Sequence, residues 1–139
     1  MSLRVRFLLM VLWLLPLAHV MADEFRPALL LINEAEPGWY SMTWKTPLNK
    51  GRRTTLQPRL PSALEQIGPV AMHQMGQAVI EQSNWRGETG ALAGATIDIA
   101  GLRALPTEVI IRVALADGSE HSTVLRSNSP PWTVPAQAT

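Results

Sequence analysis

EVIIRVALADGSEHSTVLR, residues 108–126, places two runs rich in β-branched residues on either side of Asp117-Gly118. A tight primed turn needs positive φ, which Asp and Gly tolerate, so the stretch predicts a β-hairpin. Strand side chains alternate between faces, which puts Val109, Ile111, Val113 and Leu115 toward a core and Arg112 on the opposite face. Upstream, WYSMTWKT at residues 39–46 alternates in the same way. Tyr40, Met42 and Trp44 share one face, with Trp44 expected in the core, and Trp39, Ser41, Thr43 and Lys45 share the other.

The remaining segments are weaker versions of the same pattern. Residues 25–32 (FRPALLLI) predict a first strand, and Pro27 near its start suggests an edge or strand-entry position because proline cannot donate to a ladder. Residues 34–38 (EAEPG) predict a turn, with Glu34 and Glu36 as its polar content. Residues 53–60 form a poorer strand interrupted by Pro58, and residues 61–68 read as a loop or a single helical turn. Over residues 70–85 the Met72, Met75, Val79 spacing is compatible with a helix, but Gly76 and the lack of caps favour one or two strands, of which residues 77–85 are the better. A glycine-rich connection spans residues 86–94. Ile97 and Ile99 then alternate within residues 95–99, and residues 132–134 add a last short strand. Seven or eight strands, with turn residues spread between them and no internal repeat, predict an all-β antiparallel β-sandwich, with a small barrel as the alternative.

Residues 1–22 differ from everything after them. Arg4 and Arg6 precede an apolar stretch at residues 7–17, and Val20-Met21-Ala22 ends in a small residue before Asp23, which is the layout of a secretory signal peptide with its short helix. Only 16 uncharged residues lie between Arg6 and Asp23, fewer than the ~20 a spanning helix needs. The expected organisation is a signal peptide (1–22), a β-sandwich domain (23–135) and a C-terminal tail (136–139), in an exported protein placed in the periplasm or on the extracytoplasmic face of a membrane.

Composition narrows the function classes. Two of the 12 Lys and Arg lie before Asp23, leaving 10 against 11 acidic residues, a formal charge of −1 for the exported part. With no basic face, a nucleic-acid partner is not expected, and the cluster of Lys50, Arg52 and Arg53 around Gly51 reads as a solvated turn. The chain has no cysteine, which removes disulfides, thiolate metal sites, a cysteine nucleophile and lipidation at the cleavage point. His73 and His121 stand in different segments, neither in a nucleophile motif, and His121 on its strand reads as a sheet-surface residue. No pair of ligand types has the close spacing of a zinc or copper site. Asp23 and Glu24, beside a new amino terminus, read as solvated. Gly87, Gly90 and Gly94 match no phosphate-binding loop. No catalytic, metal or cofactor residue and no small-molecule substrate is assigned, and the chain is expected not to be an enzyme. Trp39 and Trp132 are candidate surface platforms for a ligand or a membrane interface.

The order of the segments adds a resemblance. Glu24 with Arg26-Pro27, Trp44-Lys45 with Pro47, Gly94 with Gly101-Leu102, residues 107–113, Asp117-Gly118 and the closing Pro135 fall in the order found in the extracytoplasmic N-terminal domain of longer HupE/UreJ family members. The resemblance runs over nearly all of residues 23–135 and implies a bacterial envelope protein. In that family the β-domain precedes a multi-helix membrane domain associated with nickel uptake for hydrogenase or urease. It implies an accessory or interaction module whose partner is such a membrane domain or another envelope protein, with contact through the sheet edge near Pro27 or the exposed tryptophans. The metal-handling residues of the family belong to its helices, so none maps onto this chain. The other expectation is a free periplasmic protein that binds a metal or ligand by itself.

Overall fold

The computed structural model describes residues 26–136. The signal-peptide segment, the Asp23, Glu24 and Phe25 positions and residues 137–139 lie outside the described residues. Among these residues nine strands form two sheets: β1 (Ala28–Glu36), β2 (Trp39–Pro47), β3 (Gln57–Arg59), β4 (Glu65–Met75), β5 (Ala78–Arg86), β6 (Thr96–Ala100), β7 (Val109–Ala114), β8 (Glu120–Leu125) and β9 (Trp132–Thr133). The larger sheet has the order β4-β5-β2-β1-β7-β8 and the smaller has the order β3-β6-β9. One 3-10 turn, Leu102–Ala104, is the sole helical piece among the described residues. None of their helices is long and apolar enough to cross a membrane.

The arrangement is sandwich-like, but the expectation of an all-antiparallel sheet is corrected at its centre. β1 and β7 run parallel, from Ala28 opposite Val109 to Asn33 opposite Ala114, while the remaining pairs are antiparallel. Period-2 alternation reports which face a side chain takes and carries no information on direction. What it does report is centrality. ALLLI and VIIRV are nearly continuous apolar runs, as suits strands with neighbours on both sides, and their outward Leu29, Leu31 and Ile110 are half-buried. Pro27 therefore marks strand entry and not an edge, since the ladder begins one residue later at Ala28, whose N–H donates to the Glu108 carbonyl at 3.0 Å.

Each inward row of the large sheet can be read across the strands. Glu81, Trp44, Leu30 and Ile111 are one row, and Val79, Thr46, Ala28, Val109 and Leu125 are the next. The small sheet and its flanking loops cover these rows with Leu56, Leu92, Ile97, Ile99, Leu102 and Val134, all buried. Trp44 is in the core as expected, only 2% exposed. Pro58 is accommodated because β3 is an edge strand, where a missing N–H costs no ladder bond.

Two local expectations are also corrected, and the one or two strands expected over residues 70–85 prove to be two. The segment from residue 61 is not all loop, because β4 begins at Glu65. A β-hairpin forms at Gly76-Gln77, and glycine at the first turn position with positive φ fits a type II′ loop. At Asp117-Gly118 the loop has three residues, not two. Leu115 and Ser119 flank it, the Gly118 N–H donates to the Leu115 carbonyl at 3.0 Å, and only Gly118 has positive φ. That is a type I turn closed by a left-handed glycine, and Ala116 takes the place the two-residue reading had left in the strand.

Candidate functional site

The most completely built polar group is the Glu34 carboxylate. It stands on the inward face of β1, in register with Tyr40 on β2, and follows Leu30 and Ile32 on the same face. It is 5% exposed. Oε2 accepts from the Gly38 N–H at 3.1 Å, and Oε1 accepts from the Ala116 N–H at 3.0 Å, 82 residues away in sequence. The expectation that Glu34 is turn content is therefore corrected: the turn itself is Pro37-Gly38, and Glu34 is a strand residue that ties the β1–β2 turn to the β7–β8 turn. Alternation from Leu30 pointed to the inside, but a glutamate at an inward position gave no reason to expect a partner so distant.

Gly38 is needed there for two reasons. Its φ of 83° is in the left-handed region, and a Cβ would lie 2.5 Å from the Gly87 carbonyl oxygen. That carbonyl belongs to the loop after β5, whose Gly87 N–H in turn donates to the Gly38 carbonyl at 2.9 Å. The glycine-rich connection thus serves close backbone approach.

Burial alone pushes the Glu34 carboxyl up, but the Ala116 and Gly38 N–H groups and the Tyr40 hydroxyl outweigh it and hold the group below its ordinary value. Burial, and then the neighbouring Glu34 charge, push the Tyr40 hydroxyl up to about 12. At neutral pH the pair is a fixed carboxylate beside a fixed phenol. An anion whose two oxygens are both engaged by backbone donors accepts hydrogen bonds and holds loops together, and it has no proton to give. Above it lies a hollow of about 330 Å³ lined by Glu34, Pro37, Thr89, Gly90, Leu115 and Asp117, among others.

His73 and His121 sit on opposite edge strands of the six-stranded sheet, about 24 Å apart at ~4.8 Å per strand, so they do not share a site. His73 is exposed on β4. His121 is not the surface residue expected of it. It pairs with Val113 on the inward face of β8, half-buried, with a shielded Nε2, because the inward positions of this strand are 121, 123 and 125. Among the described residues no three of His, Asp and Glu gather as a metal site would require.

The basic cluster is the turn expected. Asn49 and Arg52 exchange backbone hydrogen bonds at 2.9 Å across Lys50-Gly51, both of positive φ, and Arg53 pairs with Glu81. Of the tryptophans, Trp39 is 48% exposed, with the Arg86 guanidinium 5.0 Å from its ring centroid. Trp132 is half-buried against the core. The outer face of the large sheet carries two shallow hollows of about 570 and 520 Å³ that meet at Arg112.

Compared with models of known protein families, with curated proteins and with solved structures, the chain matches none.

Proposed function

We propose that this chain is an exported, non-enzymatic β-sandwich domain that serves as an interaction or accessory module, of the kind that stands outside the membrane in HupE/UreJ-type nickel-uptake proteins. The observation that carries this reading is where the apolar side chains are left. Ile67, Val70, Met72 and Met75 along one sheet edge, and Trp39 on β2, are large, hydrophobic and exposed, whereas the built polar group, Glu34, faces inward and is consumed in holding loops. A row of exposed apolar groups along a sheet edge suits contact with another polypeptide. Near Pro27, one of the two contact places the sequence suggested, β1 is an interior strand and offers no sheet edge. Trp39 with Arg86 and the β4 edge take over that role.

Two measurements test the proposal. Expressed as the full chain in a Gram-negative host, the protein is expected in the periplasmic fraction with a mass that begins at Asp23, and retention of residues 1–22 in the cytoplasm would sink the export reading. Titration of that product with nickel, copper and zinc is expected to show no binding as tight as micromolar, about −8 kcal/mol. Micromolar or tighter binding of one of them would transfer the assignment to a free metal-binding protein.

A further inference from the structure

We infer that β4 is a self-pairing edge, through which two copies of this chain join their six-stranded sheets antiparallel about a two-fold axis at His73. This names a second copy of the chain as the polypeptide that takes the β4 edge, leaves Trp39 with Arg86 for an accessory partner, and holds with or without that reading.

β4 is the longest strand, and every one of its 11 residues is exposed. Both its faces are bare, because the cover over the large sheet stops at β5, where Val79 and Ser83 are still buried. Natural edges are protected by charge, by proline, by bulges or by shortness. Here the proline and the register shift fall between Ile67 and Ala71, which leaves Ala71 to Met75 as a regular ladder. From Gln66 to Ile80 the chain contains no Asp, Glu, Lys or Arg. The opposite edge differs in each respect: β8 has six residues, begins at Glu120, and is followed by Arg126 paired with Glu108 at 2.9 Å.

The hairpin fixes which backbone groups are free. Across a two-residue loop, Met75 and Ala78 form the closest pair and exchange hydrogen bonds, so His73 and Ala71 also bond toward β5. Met72 and Gln74 then direct their N–H and C=O groups outward. Two antiparallel copies satisfy them when Met72 faces Gln74 of the second copy and Gln74 faces Met72, which places His73 opposite His73. This register pairs all of Ala71 to Met75 with its own copy and brings Met75 against Ala71 on the outer face. The occupant follows from charge: an uncharged strip offers nothing to a charged segment and meets no repulsion from its like.

The test uses the full chain as recovered from the expressing cell, with mass measured by sedimentation equilibrium from micromolar to near-millimolar concentration. The wild type is expected to approach twice its monomer mass. His73→Lys and His73→Glu each set like charges face to face at the axis and should weaken association about fivefold, while an equimolar mixture of the two variants should associate more tightly than either alone. His73 is exposed, so far-UV circular dichroism of each variant should match the wild type. A wild type that stays monomeric throughout would overturn the inference. So would variants that associate as the wild type does, or a mixture no tighter than its components.

Discussion

The centre of the large sheet and its β4 edge are built from similar residues and differ in what lies over them. β1 and β7 contribute Leu30, Ile32, Val109, Ile111 and Val113, each at most 2% exposed beneath the small sheet, whereas Val70, Met72 and Met75 on β4 are 43–61% exposed. Apolar content therefore does not identify the core of this protein; a second layer does. The same side chains add stability where they are covered and stay open to contact where they are not. The sharpest way to break this contrast is Ile111→Ala. The side chain is fully buried and its removal leaves a cavity, so a loss of about 3 kcal/mol is expected in urea denaturation. A loss below about 1 kcal/mol would mean that the two sheets are not packed as described.

Between the extremes is Glu34, which is buried like the centre but works through loops. Glu34→Gln removes the charge and turns one acceptor oxygen into a donor that faces a backbone N–H. We expect a loss of about 1–3 kcal/mol at neutral pH. The pH dependence gives an independent check. The folded-state carboxyl is held below its ordinary 4.5, so its contribution is present above that value and lost as pH falls through the lower folded value. A plot of unfolding free energy against pH should therefore drop below about 4.5 for the wild type and be flatter there for the variant. Equal slopes would show that Glu34 is not the carboxylate that matters in acid.

How much of this was readable beforehand depends on the kind of signal. The alternation of Tyr40, Met42 and Trp44 and of Val109, Ile111 and Val113 named core residues correctly, because one-sided burial imposes period 2 directly on sequence. The parallel β1–β7 pair was invisible, since antiparallel and parallel strands alternate alike. Asp117-Gly118 announced a hairpin but not its length, because the same dipeptide closes two- and three-residue loops. Glu34 was missed because its partner, Ala116, contributes a backbone N–H, and any residue but proline has one. The bareness of β4 was equally hidden. Its residues show strand character, and only the extent of the cover over the large sheet decides that they stay in solvent.

The smallest effect tests that last point. Met75 is 61% exposed, and in an isolated monomer Met75→Ala should change unfolding free energy by no more than about 0.5 kcal/mol. In a self-paired edge the same side chain lies against Ala71 of the second copy, so the variant should become measurably less stable than the wild type as protein concentration rises. Stability linked to association grows with concentration, and a truncation at the contact reduces that gain. A difference between wild type and variant that is small when dilute and wider when concentrated would tie the exposed methionine to an interface. A difference that is the same at every concentration would leave β4 a bare strand whose side chains serve neither core nor contact.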